Sequence, residues 1–219
     1  MRAVKVEARR LLAACFASAA ALALLTWATF EIRWFRHRDA LALAHLSADR
    51  FGRLGDLAGP IGDLGNPLPQ ALLLVAGVGL ALSTGRRKAA LAGAVLVLGA
   101  DLTTFALKHT LTAPRFDAVL GWAQVGGNSF PSGHTTAAFG MAAAWLLFVP
   151  AAWRAVTAAV GMLLASGVAA AVVVLRHHFP SDVVGGVLVV ATWTFGVCAV
   201  LALCSSAQEE EESGATFEA

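Results

Sequence analysis

The sequence predicts an all-α, polytopic membrane protein with six transmembrane helices. Of its 219 residues, 58% are hydrophobic and only 14% are charged, and the mean hydropathy is +0.71. Soluble domains are nearer to roughly 45–50% apolar and about 25% charged. The apolar residues form long runs, and runs of about 18 residues or more are typical of membrane-spanning helices. The runs do not alternate apolar and polar residues, as the strands of a membrane β-barrel do.

Six apolar runs define the predicted spans, which together form one membrane domain over residues 1–204. They are Leu11–Phe30, Leu68–Thr84, Ala89–Leu107, Thr135–Val149, Ala155–Leu175 and Val183–Cys204. The second and fourth runs are near the lower limit of about 17 residues for a span. We therefore expect these two helices to extend beyond their apolar runs.

The first span has two interpretations. Basic residues precede an apolar stretch that contains small residues, as in a secretory signal peptide. The stretch is longer than the roughly 7–15 residues of a signal-peptide apolar region, which favours an uncleaved helix.

Two other segments differ in composition from the spans. Residues 31–67 mix arginines and aspartates with leucines and Phe51, which suggests either an interfacial amphipathic helix or an ordinary solvated connector. Residues 205–219 include Glu209–Glu212 and are predicted to form a disordered acidic tail.

The distribution of basic residues predicts the orientation, because short cytoplasmic segments are enriched in lysine and arginine. With six spans, three basic segments fall on one side, and residues 31–67, 108–134 and 176–182 fall outside. We expect this arrangement in a bacterial cell (inner) membrane. The basic residues are Arg2, Lys5, Arg9 and Arg10 at the N-terminus, Arg86, Arg87 and Lys88 in a turn, and Arg154.

The charge pattern also excludes some partners. A net charge of +2, with no basic cluster interleaved with aromatics, does not favour nucleic-acid binding. The chain has no carboxylate cluster typical of a metal site, so no metal or other cofactor is expected.

One polar loop on the predicted outer face contains Pro131, Ser132, Gly133 and His134 and opens the fourth span. Helix N-termini expose unpaired N–H groups at the positive end of the dipole, which suits an anion. Glycine lets the backbone approach an oxyanion, and the serine hydroxyl adds a donor. A plain helix cap with a surface histidine is the alternative.

A second polar segment, residues 176–182, precedes the sixth span. Pro180 suits the first turn of a helix, and Asp182 can reach back to His178, four residues earlier. A carboxylate bonded to one imidazole nitrogen fixes the tautomer and leaves the other nitrogen free as a nucleophile. The spacing selects His178 over His177, although a pair of helix caps is the alternative interpretation.

Two cations, Lys108 and Arg115, follow the third span seven residues apart. Lysine offers a point charge, and arginine offers a planar fork matched to phosphate oxygens. Alone, they would be interpreted as interfacial side chains reaching towards water. Asp101, two helical turns before Lys108, is interpreted as an intramembrane partner on that face or a proton-pathway residue.

These segments resemble the signatures of the type-2 phosphatidic acid phosphatase superfamily of membrane enzymes. Lys108 and Arg115 match the first signature, in which Phe116 replaces the family's proline. The second signature, Pro-Ser-Gly-His, is complete at residues 131–134.

The third signature is matched in part. His178 and Asp182 stand at its histidine and aspartate, whereas Ala171 and Val172 replace its Ser-Arg pair. Arg176, one helical turn after Val172, could replace the missing arginine if the helix continues that far.

The resemblance implies a metal-independent phosphatase that acts on a lipid phosphate or diphosphate through a phosphohistidine. His178 would attack phosphorus, Asp182 would orient its imidazole, and His134 would protonate the leaving oxygen. The phosphate ligands would be Lys108, Arg115, Ser132, Gly133 and Arg176. Two alternatives stay open: a phosphotransferase to a lipid or sugar hydroxyl, and a non-catalytic protein that binds lipid head groups.

Overall fold

Eight α-helices and two short 3-10 helices form the computed structural model, which describes residues 2–112, 115–122 and 124–215. The predicted all-α fold is confirmed. The helices are α1 (Arg2–Glu31), α2 (Arg33–Leu46), α3 (Arg53–Asp63), α4 (Pro67–Ser83), α5 (Arg87–Thr110), α6 (Gly133–Phe148), α7 (Arg154–Val174) and α8 (Pro180–Ala215). The 3-10 helices are Ala118–Leu120 and Ala151–Trp153.

The six predicted spans fall on α1, α4, α5, α6, α7 and α8, but fewer helices are long and apolar enough to cross a membrane. Within the described residues, four segments are long and apolar enough, and they are Val6–Glu31, Arg87–Thr110, Ala151–Val174 and Pro180–Ser205. The helices α3 and α4 pass only as one broken span, bent by 47°. The structure therefore supports four or five spans. With 16 residues, α6 is about 24 Å long against a hydrocarbon core of about 30 Å, and a span through it stays a prediction.

The break between α3 and α4 lies at Gly65 and Asn66. Their N–H groups bond to carbonyls of the last turn of α3, at 2.9 and 3.1 Å. Pro67 then starts α4, because proline suits the first turn of a helix and has no N–H to continue the preceding one. A Cβ on residue 65 would lie 2.9 Å from Cβ of His134, which is too close for two carbon atoms. The break can approach α6 this closely because residue 65 is glycine.

The centre of the bundle is α6, which contacts α4, α5, α7 and α8, while α1 packs along α8 and α3 along α7. Leu96, Met141 and Phe148 belong to the main buried apolar cluster. At one end of this cluster Arg86 Nη1 donates a hydrogen bond of 3.0 Å to the Phe148 carbonyl, which satisfies a free carbonyl at the end of α6. The basic turn that begins α5 is therefore at the opposite end of the bundle from the start of α6.

The connector over residues 31–67 contains two helices, α2 and α3. In α3 the small residues Gly55, Ala58 and Gly62 are buried, on the helix that packs against α7. Its large apolar side chains Leu54, Leu57 and Ile61 are exposed. An exposed apolar stripe is what an interfacial helix requires, and the interfacial position itself stays a prediction.

The segment predicted as a disordered tail begins at Ser205, but α8 continues as far as Ala215. Alanine, glutamine and glutamate favour helix, and extending an existing helix avoids the cost of nucleation. Residues 216–219 lie outside the described residues.

We expect Gly77→Ala to destabilise the bundle. A Cβ at Gly77 would lie 2.2 Å from a ring carbon of Phe148, which is fully buried. Overpacking of this kind costs about 1–3 kcal/mol. The measurement is the thermal unfolding midpoint of the purified protein in detergent. Gly79→Ala is the matched control, because nothing lies within 4 Å of that Cβ position; equal midpoints for the two variants would contradict the packing.

Candidate active site

Seven of the eight predicted site residues meet at one end of the bundle, where α5 and α7 end and α6 and α8 begin. The Ser132 N–H donates to the carbonyl of Asp182 (2.9 Å), which joins the start of α6 to the start of α8. The Lys108 side chain lies against Gly133, with its Cε 3.7 Å from the Cβ position there. Three segments that are far apart in the chain therefore form one cluster.

The end of α7 determines where the second polar segment lies. The His177 N–H donates to the carbonyl of Val172 (2.9 Å) and the Arg176 N–H to that of Val173 (3.0 Å), which is a Schellman motif. Arg176 takes its left-handed position with φ 58°, where glycine is usual. The prediction that Arg176 replaces the arginine missing at Val172 required α7 to continue as far as Arg176. The helix ends at Val174, so it does not carry Arg176 on the same face as Val172.

Asp182 is fully buried and has three neighbours. Its Oδ1 accepts a hydrogen bond from Arg115, and its Oδ2 accepts one of 2.9 Å from the Phe179 N–H. His178 Nδ1 lies 3.5 Å from Oδ2, which is an ion-pair distance, and this nitrogen has no hydrogen-bond partner in the described structure. Bonds of this kind are often long in unliganded enzymes and shorten when substrate binds. The Nε2 atom of His178 is the nitrogen turned away from the carboxylate.

Arg115 is buried, with only 7% of its surface exposed. Its Nη2 donates to Ser129 Oγ (2.7 Å) and to Asp182, and its Nη1 donates to Ser181 Oγ (3.1 Å). The guanidinium lies over the ring of Phe179, 4.1 Å from the centroid. Arg115 therefore joins the loop before α6 to the start of α8.

The start of α6 provides hydrogen-bond donors. Ser132 is the N-cap, and its hydroxyl oxygen accepts from the N–H of Thr135 (3.3 Å). The N–H groups of Gly133 and His134 belong to the first turn, where no intrahelical acceptor exists. Lys108 Nζ donates to the carbonyls of Asn128 (2.9 Å) and Ser129 (3.4 Å), which holds its charge beside this helix end. An anion would here meet N–H groups, a hydroxyl and an ammonium.

His134 faces His178 across the site, with ring centroids 6.1 Å apart. On its other side, Nε2 is 3.1 Å from Oδ1 of Asn66, which belongs to the break between α3 and α4. Two imidazoles, one from α6 and one from the segment before α8, thus face each other at the site.

Asp39 is a member of the cluster that the sequence did not indicate. It lies in α2, only 8% exposed, and accepts hydrogen bonds from the Ser181 N–H (3.0 Å) and hydroxyl (2.5 Å). Its Oδ2 is also 3.5 Å from Arg115 Nη1. Burial raises the pKa of Asp39, and the bonds from Ser181 and the charge of Arg115 oppose that rise. The carboxylate caps the start of α8 from a distant segment.

Comparison with known families identifies the chain. Residues 89–204, more than half of its 219 residues, match the PAP2 superfamily. The chain belongs to the PAP2 superfamily. No curated protein and no solved structure matches it. The matched range contains all eight predicted site residues of this PAP2 protein, whereas Asp39 and Asn66 lie before it.

Arg176 of this PAP2 protein lies differently from the sequence interpretation. Arg176 Nε donates to Ser47 Oγ (2.6 Å), and its Nη1 is 3.5 Å from the carbonyl of Leu120, so its guanidinium faces α2 and the 3-10 helix rather than the cluster. Its role as a phosphate ligand stays a prediction. Asp101 accepts a hydrogen bond from Gln70 (2.7 Å) and joins α5 to α4.

Sequence reasoning missed Asp39, Asn66 and Ser129 as members of the site. Asp39 stands in a connector of mixed charge, where nothing separates it from solvated aspartates. Asn66 before Pro67 is a helix-start signal that could have been noticed. Among the described residues, no group of three or more His, Cys, Asp or Glu side chains is arranged to hold a metal ion.

We expect Asp39→Ala to lower the free energy of unfolding by roughly 1.5–3 kcal/mol, because it removes the acceptor of two buried hydrogen bonds from Ser181. Chemical or thermal unfolding in detergent measures the change. Asp56→Ala is the matched control, since Asp56 is an exposed aspartate of the same connector. Equal stability of the two variants would show that Asp39 does not hold α2 to α8.

Proposed function

We propose that this PAP2 protein is a metal-independent phosphatase that removes phosphate from a membrane lipid phosphate or diphosphate through a phosphohistidine. Members of the superfamily are typically phosphatases, and the membrane helices suggest a lipid phosphate substrate. The observation that carries the proposal is the position of His178, beside buried Asp182 and opposite His134.

In the first half-reaction, Nε2 of His178 attacks phosphorus and the bond from phosphorus to the lipid oxygen breaks. Asp182 holds Nδ1 and stabilises the positive charge that forms on the ring. Protonated His134 donates its proton to the leaving oxygen, so the lipid departs as an alcohol or as a monophosphate.

In the second half-reaction, neutral His134 takes a proton from water, which attacks the phosphohistidine. The bond from phosphorus to nitrogen breaks, inorganic phosphate leaves, and both histidines return to their initial states. Dividing the displacement into two steps suits a reaction that is very slow without a catalyst.

The phosphoryl oxygens are held by donors from two helix ends. We assign this role to Lys108, Ser132 and the Gly133 N–H, with Arg115 contributing its charge beside Asp182. Donors aimed at the charge of the transition state are usually the largest catalytic contribution. Arg176 would join them only after its guanidinium leaves Ser47.

An apolar cavity next to the site supports a lipid substrate. It has a volume of about 410 Å³ and lies between α4, α6 and α7. Leu64 and Val168 line it next to Gly65, and Gly65 packs on His134. A hydrocarbon chain in this cavity would place its phosphate beside His134. Other apolar lining residues are Leu73, Met141, Trp145, Val160 and Leu164.

The orientation forms part of the proposal. If α4 and α6 each cross the membrane and α3 lies at the interface, the chain has six spans. The basic turn at Arg86 then lies on the cytoplasmic side and the catalytic cluster on the opposite side. The substrate would be a lipid of the outer leaflet.

We expect His178→Ala to lower phosphate release by at least roughly 10³-fold, because the nucleophile is lost. His177→Ala is the matched control and should keep most of the activity, since that neighbouring side chain is exposed. The assay measures phosphate released from phosphatidic acid, phosphatidylglycerol phosphate and a polyprenyl diphosphate. Undiminished release by His178→Ala would show that another group attacks phosphorus.

The same assay distinguishes hydrolysis from transfer. With a competing alcohol present, a phosphatase delivers most phosphate to water, and we expect inorganic phosphate as the main product. A phosphorylated alcohol as the main product would favour a phosphotransferase. No turnover of any lipid by the wild-type protein would favour a protein that only binds head groups.

A further inference from the structure

We propose that Asn66, held by Asp63, is a positioning residue that fixes the ring orientation and tautomer of His134. In the kinetic part of its test this inference rests on the proposed function, since it concerns the residue assigned as the general acid.

The amide of Asn66 has a defined orientation. Its Nδ2 donates to Asp63 Oδ1 at 3.0 Å. A carboxylate accepts hydrogen bonds and does not donate them, so the NH₂ side of the amide faces Asp63. The amide oxygen therefore faces Nε2 of His134, 3.1 Å away.

The direction of this contact determines the tautomer. An amide oxygen only accepts, so Nε2 of His134 must carry the proton. In the neutral ring Nδ1 then has the free lone pair, and in the protonated ring Nδ1–H is the donor with no contact to Asn66. The proton given to the leaving oxygen, and later taken from water, would therefore move at Nδ1.

The backbone holds Asn66 in place. It is the residue before α4, and its carbonyl accepts the first helical hydrogen bond from the N–H of Gln70 (3.2 Å). Gly65 packs so closely on His134 that a Cβ there would lie 3.1 Å from Cα of His134 and 3.0 Å from a methyl of Val168. The break between α3 and α4 therefore packs directly against His134, the residue whose ring Asn66 positions.

Two substrates with different leaving groups separate positioning from general damage. A lipid alkoxide needs a proton to leave, whereas p-nitrophenolate leaves as a stable anion. We expect Asn66→Ala and Asp63→Ala to lower kcat/KM on phosphatidic acid by about 10–100-fold, part of the roughly 10²–10⁴-fold that acid catalysis supplies. Their kcat/KM on p-nitrophenyl phosphate should stay near the wild-type value, because kcat/KM does not include the later hydrolysis of the phosphohistidine, which both substrates share. His134→Gln should show the same contrast more strongly, and Asp56→Ala should behave as wild type on both substrates.

Equal losses of kcat/KM on the two substrates would overturn the inference, because a structural defect affects both alike. A wild-type kcat/KM of Asn66→Ala on phosphatidic acid would overturn it as well. If His178→Ala kept its activity, the proposed function would fail. If His178→Ala and His134→Gln lost activity as expected but Asn66→Ala kept wild-type activity, only the inference would be overturned.

A second measurement does not depend on turnover. In ¹⁵N-histidine-labelled protein in detergent micelles, we expect a slowly exchanging Nε2–H proton from His134, assigned by its loss in His134→Gln. The signal should disappear in Asn66→Ala and persist in Asp56→Ala. A wild-type proton on Nδ1 instead, or an unchanged signal in Asn66→Ala, would contradict the arrangement even in a protein that releases no phosphate.

Discussion

A guanidinium buried at the end of a membrane bundle needs acceptors on every side, and Arg115 finds them on segments that are distant in the sequence. Removing such a charge from water costs several kcal/mol unless hydrogen bonds compensate for it. Ser129, Ser181 and Asp182 provide these bonds, and Asp39 lies at ion-pair distance. Movement of α8 away from the loop before α6 would remove the bonds from Arg115 to Ser181 and Asp182 and leave the buried charge with fewer partners. This requirement holds the residues that we propose to be catalytic in one place.

The arrangement around Arg115 also determines what Asp182 can do. One carboxylate oxygen is occupied by the guanidinium and the other by the Phe179 N–H, which leaves a defined direction towards His178. A buried carboxylate with fixed neighbours can orient an imidazole without changing its own position. The Schellman end of α7 supplies the remaining constraint, since it turns the chain so that His178, and not His177, is buried against Asp182.

Much of this architecture follows from local sequence. Apolar runs located six of the helices, α1 and α4 to α8. Local spacing indicated His178, Asp182 and the start of α6, because helix geometry relates residues close in the chain, whereas Lys108 and Arg115 were assigned by their match to the family signature. The contacts of Asp39 could not be predicted, since its partner Ser181 is 142 residues away. The position of the Arg176 side chain could not be predicted either, because an arginine with a left-handed backbone conformation at a helix end gives no sequence signal. The span count depends on whether α6 and the bent pair α3 and α4 cross the membrane, which hydrophobic runs alone do not decide.

The most direct test of the account is chemical trapping of the intermediate. Turnover of a ³²P-labelled lipid phosphate, quenched in alkali within the first turnovers and mapped by mass spectrometry, should give phosphate bound to the chain in an acid-labile, alkali-stable linkage on His178. The label on a different residue, such as Ser132, would contradict the central claim that one buried cluster makes this histidine the nucleophile.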